Sequence, residues 1–134
     1  MSVKALFFDV FGTLVDWRAG VAREAERILK PRGHALDWLA FADVWRNEYQ
    51  PAMEEVRSGK IPFSKLDVLH RRNLERILPR FKVSGLDEAT MQHLNKAWHR
   101  LDGVPRLHVA VAAHRGHHAA RREDRKSTRL NSSH

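Results

Sequence analysis

One strong strand signal at the start of the chain is followed, from Val15 to Leu101, by apolar residues at helical spacing only. Ala5-Leu6-Phe7-Phe8 is a continuous apolar run, too short for a helix and suited to a strand buried on both faces. One strand cannot make a sheet, because its backbone N–H and C=O groups need neighbours to pair with. The pattern therefore predicts an α/β start represented by a single strand, joined to a mostly α-helical body.

Four helices are expected in that body. The first covers Val15 to Lys30, with Asp16 as N-cap, a stripe of Val21, Ala25, Ile28 and Leu29, and a stop at Pro31-Arg32-Gly33. A second begins after Asp37 and carries Trp38, Phe41, Val44, Trp45, Ala52, Met53 and Val56. Pro51 should kink or split it, since proline removes one hydrogen bond and clashes with the preceding turn. A third runs from Ser64 as N-cap through Leu66, Leu69, Leu74, Ile77 and Leu78 to Pro79, and a fourth starts at Asp87 with Met91, Leu94, Trp98 and Leu101 on one face. His34, His70, His93 and His99 are scattered over these helices and read as surface residues.

Chemistry concentrates at the end of the strand. Asp9 stands at its C-terminal edge, where α/β folds place reactive groups, and Gly12-Thr13 follows at once. The turn after Asp9 offers backbone N–H groups that could hold a developing negative charge. On spacing alone, an aspartate that merely caps the next helix is an equal reading.

Read together, Phe7-Phe8-Asp9-Val10-Phe11-Gly12-Thr13-Leu14-Val15-Asp16-Trp17 closely resembles the first motif of the haloacid dehalogenase superfamily, an apolar strand followed by Asp-x-x-Gly-Thr. The continuation through Arg18, the helical stretch to about Trp98 and the segment Val44-Trp45-Arg46-Asn47 resemble the type II L-2-haloacid dehalogenase branch. The resemblance implies a Rossmann-like core present only as its first strand and nucleophile loop (residues 1–14), a helical cap (15–102) and a tail outside the family pattern (103–134). It implies that Asp9 is the nucleophile of a hydrolase acting on carbon–halide bonds, with Thr13 supporting it and Gly12 letting the backbone approach the substrate. Arg46, beside Asn47, would bind the substrate carboxylate or screen the departing halide. Phe63 would line an apolar halide pocket. Read without the family, Arg46 is a surface partner for Asp43, Thr13 a turn cap and Phe63 a packing residue.

Phe11 discriminates between reactions. Phosphatases of the superfamily carry a second Asp two residues after the nucleophile, because a departing alkoxide needs a proton. Halide needs none, and Phe11 cannot donate one. A phosphate facing Asp9 would also call for Mg²⁺, whereas a haloacid needs only a cation, so neither metal nor cofactor is expected. The substrate expected is a 2-haloacid or a related small organic acid. The alternatives are another hydrolase of the superfamily, such as a phosphatase or phosphonatase, and a non-enzymatic helical interaction module.

The formal net charge of +8 does not point to nucleic acid. Residues 1–103 hold 17 Lys and Arg against 14 Asp and Glu, while residues 104–134 hold 7 against 2, without an aromatic to stack on bases. The sequence contains no cysteine, which excludes disulfides and fits a reducing cytoplasm. It has neither a transmembrane-length apolar run nor a signal-peptide pattern, so no membrane association is expected. Cap helices in this branch contribute to dimers, which implies a homodimer in a full-length parent.

The family's later Ser, Lys and Asn/Asp motifs have no matching positions, so the expectation is a truncated piece with little or no turnover. Val104 to Ala120 is rich in Ala, His and Arg, with His108-Val109-Ala110-Val111-Ala112-Ala113-His114 the one further short strand candidate. His108, His114, His117 and His118 lack accompanying carboxylate or thiolate ligands and are not read as a metal site. Ser127 and Asn131 follow no apolar strand and are not assigned the family's Ser-Asn role. The ending Arg125-Lys126-Ser127-Thr128-Arg129-Leu130-Asn131-Ser132-Ser133-His134 resembles translated sequencing adapter, so a frameshift near Leu101–Val104 is expected, with an irregular or disordered tail. Resequencing beyond codon 101 should reveal Ser-Asn, Lys-Pro and Asn/Asp motifs in a shifted frame; an intact in-frame continuation into this tail would overturn that expectation.

Overall fold

Three aspartates start three helices in the same way. In the computed structural model, which describes residues 3–104, Asp16 precedes α1 (Trp17–Leu29) and accepts from the Ala19 N–H at 3.2 Å. Asp37 precedes α2 (Trp38–Asn47) and accepts from Ala40 at 3.0 Å. Further along, α3 spans Tyr49–Arg57 and α4 spans Leu66–Ile77. Asp87 then opens α5 (Glu88–Asn95), accepting from Thr90 at 2.9 Å. Each carboxylate satisfies an N–H that has no partner inside the helix, an arrangement that contributes about 1 kcal/mol per cap.

The long second helix of the sequence reading is two helices, with the break at Glu48 between α2 and α3. The cause is Pro51, whose ring would strike the carbonyl four residues earlier, that of Asn47, the last residue of α2. Ser64 is not the cap of α4. Lys65 takes the cap position in extended backbone without a side-chain bond, and the Ser64 hydroxyl donates back to the Pro62 carbonyl at 3.1 Å. Short 3-10 turns follow α1 (Lys30–Arg32), α4 (Leu78–Phe81) and α5 (Lys96–His99). The first two carry Pro31 and Pro79 as their second residues, and each proline forbids a continued α-helix.

The described residues fall into two units. Asp16–Asp102 forms the helical one, and residues 3–15 with 103–104 belong to the other. The helical unit contains the entire buried apolar cluster. Val21, Ile28 and Leu29 of α1 meet Phe41 and Trp45 of α2, Leu74 and Ile77 of α4, and Leu94 of α5. Trp45 is 1% exposed. Its ring is edge-on to Phe41 (5.9 Å) and Trp98 (5.4 Å), and its indole N–H donates to the His70 carbonyl at 3.0 Å. Leu101 closes the unit by seating on Gly20. A Cβ at Gly20 would lie 2.8 Å from Leu101 Cδ2, so α1 carries a glycine there to admit the contact.

Glu24, His70, Asn73 and Thr90 are the buried polar residues among those described, and the first two are ionisable. Glu24, 5% exposed, ties α1 to the end of the unit through Arg100 and also pairs with Arg27 one turn along α1. Burial alone would raise its pKa, but the Arg100 hydrogen bond and charge, with Arg27, hold the carboxyl below its ordinary value. His70 is 6% exposed, which corrects its reading as a surface residue. It sits four before Leu74 and seven before Ile77, on the inner stripe of α4.

The N-terminal segment departs from expectation. Val3–Val10 forms no strand, and Phe7 (96%) and Phe8 (60%) are exposed. Among the described residues no strand runs beside it, so its backbone has no ladder to join and its apolar side chains no sheet to cover them. Isolated bridges link Phe11 with Val15 and Val15 with Gly103, and the Val104 N–H donates to Leu14 at 2.8 Å. The tail frameshift, the short strand at 108–114, the His108–His118 group and the Ser127/Asn131 question lie outside the described residues. No described helix is long and apolar enough to cross a membrane.

Because the buried cluster lies wholly within the helical unit, residues 16–102 expressed alone should unfold cooperatively in urea, followed by helical circular dichroism. In that fragment Trp45→Ala should lose about 3–5 kcal/mol, from the cavity and the stranded His70 carbonyl. A broad, non-cooperative melt of the parent fragment would contradict this account.

Candidate active site

Asp9 and Thr13 are brought together by the chain's own turn. Gly12 adopts φ 84°, a left-handed conformation that glycine accepts without strain. The chain then folds back, and the N–H groups of Leu14 and Val15 donate to the Val10 carbonyl at 2.9 and 3.1 Å. This brings the Thr13 hydroxyl to Asp9, where Oγ1 donates to Oδ2 at 3.0 Å. Oδ1 takes no hydrogen bond from the described residues, and the side chain is exposed.

The expected use of backbone donors in this turn is not realised. The Gly12 N–H donates to Val15 at 3.0 Å, and those of Thr13, Leu14 and Val15 all turn to Val10. These four groups are therefore engaged within the turn rather than directed at an anion. Asp9 is a strand-end residue without its strand, held instead by the turn and by Thr13. Phe11 is 38% exposed, two residues after the carboxylate.

Arg46, Asn47 and Phe63 belong to the helical unit. The α2 helix turns Trp45 into the core, leaves Arg46 half-buried and puts Asn47 outside at its last turn. Arg46 does not pair with Asp43. That carboxylate is gripped by Arg18 of α1 through two parallel bonds of 2.7 Å, which holds its pKa down. No carboxylate among the described residues pairs with Arg46. Its guanidinium carbon lies 4.6 Å from the centre of the Tyr49 ring and 6.0 Å from that of Trp17. Phe63 stands 89% exposed in the loop before α4 rather than packed within the helical core.

Three residues around Arg46 escaped the sequence reading: Trp17, Tyr49 and His70. Tyr49 lies three positions on from Arg46, the spacing of neighbours on one helical face, and that was the available signal. His70 is tilted against both Tyr49 (6.4 Å) and Trp98 (4.9 Å). Its Nδ1 is buried without a hydrogen-bond partner among the described residues. No group of three or more His, Cys, Asp or Glu among the described residues is arranged to hold a metal ion.

No family model matches the chain, and no curated protein matches it. Solved structures do, among them two L-2-haloacid dehalogenases. The defluorinating L-2-haloacid dehalogenase Rha0230 is 39% identical with a TM-score of 0.69, over 72% of this chain and 40% of that one. The L-2-haloacid dehalogenase PA0810 is 42% identical with a TM-score of 0.65, over 72% of this chain and 41% of its own. The chain thus spans about two fifths of the length of these relatives.

His70 gives the helical unit a pH limit. Burial pushes its pKa from 6.5 down to about 4; Asp67 opposes this, while Arg46 and His99 reinforce it. The folded state therefore keeps the ring neutral where the unfolded chain protonates it, so stability is full above pH 6.5 and is lost as pH falls toward 4. Between pH 7 and 5 the loss should be about 2 kcal/mol, read from urea midpoints. His70→Leu should remove most of that slope, and a wild-type midpoint flat across this range would refute the assignment.

Proposed function

Over 72% of its length this chain is related to the L-2-haloacid dehalogenases, and on that premise we propose that it carries the nucleophile and the carboxylate-binding cation of a hydrolase that removes halide from small 2-haloacids. Asp9 Oδ1 attacks the carbon bearing the halogen. The carbon–halogen bond breaks and the halide leaves with its electron pair, giving an aspartyl ester with inversion at that carbon. Water then adds to the ester carbonyl. Asp9 is regenerated, the product hydroxyl takes one water proton and the other is released.

The observation that carries this reading is the Thr13–Asp9 hydrogen bond at 3.0 Å. It fixes one carboxylate oxygen and leaves the other free for in-line attack, in a segment with the family's Asp-x-x-Gly-Thr pattern. Phe11 supports halide as the leaving group, since a phosphomonoester would need a proton donor where this phenyl ring stands. Arg46 supports an acidic substrate, because its planar fork matches a carboxylate and no protein carboxylate takes that place among the described residues. Gly12 provides close backbone approach, and Asn47 and Phe63 provide polar and apolar contacts to the substrate.

The test uses a chimera in which residues 1–102 replace the equivalent part of Rha0230. It should release chloride from L-2-chloropropionate, and Asp9→Ala should lower kcat by at least about 10⁴-fold. A single turnover in H₂¹⁸O should leave the label in the peptide containing Asp9. Label on a different residue, or turnover that survives Asp9→Ala, would exclude the mechanism.

A further inference from the structure

We propose that Tyr49 and Trp17 are positioning residues that hold Arg46 as a preformed cation without a counter-ion among the described residues; this deepens, and rests on, the reading of Arg46 as the ligand of a substrate carboxylate. Every carboxylate on α2, on α3 and at the break between them is engaged elsewhere. Asp43 is held by Arg18. Glu48 takes Arg80 at 2.9 Å, Glu54 takes Arg57, and Glu55 takes Arg72 with Arg76. What remains against Arg46 is aromatic: Tyr49 at 4.6 Å and Trp17 at 6.0 Å.

Those two rings are not loose. Trp17 stacks on Trp98 at 6.1 Å and 21°. Trp98 lies 4.9 Å from His70, and His70 lies 6.4 Å from Tyr49. Arg46 thus closes a circuit of aromatic rings whose middle members, Trp98 and His70, are buried. A π face attracts a cation without neutralising it and without occupying its N–H donors. A carboxylate partner would have to be displaced before substrate could bind, whereas these rings need not move. The guanidinium is held in place in advance, which lowers the ordering cost of binding an anion.

Binding is read on the ¹⁵N-labelled 134-residue chain from the Arg46 Nε–Hε resonance. Without ligand this resonance should be shifted by ring current and restricted in motion. Tyr49→Phe should preserve both features and Tyr49→Leu should abolish them, moving the signal to that of a solvated arginine. Titration with L-2-chloropropionate should shift the wild-type resonance saturably, together with the indole N–H signal of the neighbouring Trp17, and that indole signal should not respond in Arg46→Met. Tyr49→Leu should weaken binding about two- to fivefold while Tyr49→Phe stays close to wild type, because the ring and not the hydroxyl supplies the contact. Where Tyr49→Leu loses its helical circular dichroism, Tyr49→Met, which keeps bulk without a π face, takes its place. A folded Tyr49→Leu or Tyr49→Met with wild-type shift and motion would overturn the positioning role. A ring-shifted, restricted Arg46 that fails to respond to L-2-chloropropionate would leave positioning intact and overturn the carboxylate-ligand reading instead.

Discussion

The burial of Trp45 sets the rotational position of α2, and the arrangement around Arg46 follows from it. The indole is almost wholly removed from water, and its one donor is satisfied by the His70 carbonyl of α4 at 3.0 Å. A buried Trp N–H without a partner would be costly, so the bond fixes which way the ring faces as well as how deep it lies. Successive helical residues are rotated by about 100°. With Trp45 pointing inward, Arg46 falls at the rim and Asn47 in solvent. The position of the guanidinium is therefore decided by an apolar neighbour, before any charge is considered.

Charge is then partitioned by geometry. Arg18 reaches from α1 to take Asp43 bidentately, while Arg76 and Arg80 reach from α4 and the turn after it to Glu48 and Glu55. Exposed pairs of this kind contribute little stability, about 0–1 kcal/mol each. Their consequence is specificity, because an acid already paired is not available to Arg46. Glu24 is a different case, since a carboxylate 5% exposed would be expensive without Arg100 and Arg27. The same dry interior that makes Glu24 need its partners keeps His70 neutral.

Local rules were legible in the sequence where only local groups compete. Asp16, Asp37 and Asp87 cap helices by bonding an N–H three residues on, and Pro51 ends the helix before it while sitting in the first turn of the next. Ser64 was misleading because Pro62 presents a carbonyl two residues back, which captured the hydroxyl. The inner stripes were legible as positions but not as residue types: His70 and Glu24 occupy core positions that residue chemistry argued against. The Ala5–Phe8 strand was the least local expectation of all, since a strand is made by its neighbours, and among the described residues there are none. In the site, Asp9 and Thr13 were legible because one turn joins them. Trp17 was not, because its approach to Arg46 depends on how α1 packs against α2.

The N-terminal turn makes a further distinction between kinds of anion stabilisation. A loop that aimed its N–H groups outward could stabilise charge on any oxygen brought to it. Here the donors of Gly12 to Val15 face the Val10 and Val15 carbonyls, so the turn is stiffened at the expense of that capacity. The donor directed at Asp9 from this turn is the Thr13 hydroxyl, which bonds one oxygen only. A carboxylate held by one oxygen keeps its second lone-pair-bearing atom oriented yet unencumbered, which suits a nucleophile better than an acid or base. Multiple donors would lower its nucleophilicity by stabilising its charge, and no donor at all would leave it free to rotate. The Asp-x-x-Gly-Thr spacing thus makes physical sense as a device for orienting a carboxylate with the least loss of reactivity: glycine permits the reversal, and threonine, one reversal later, supplies the single bond.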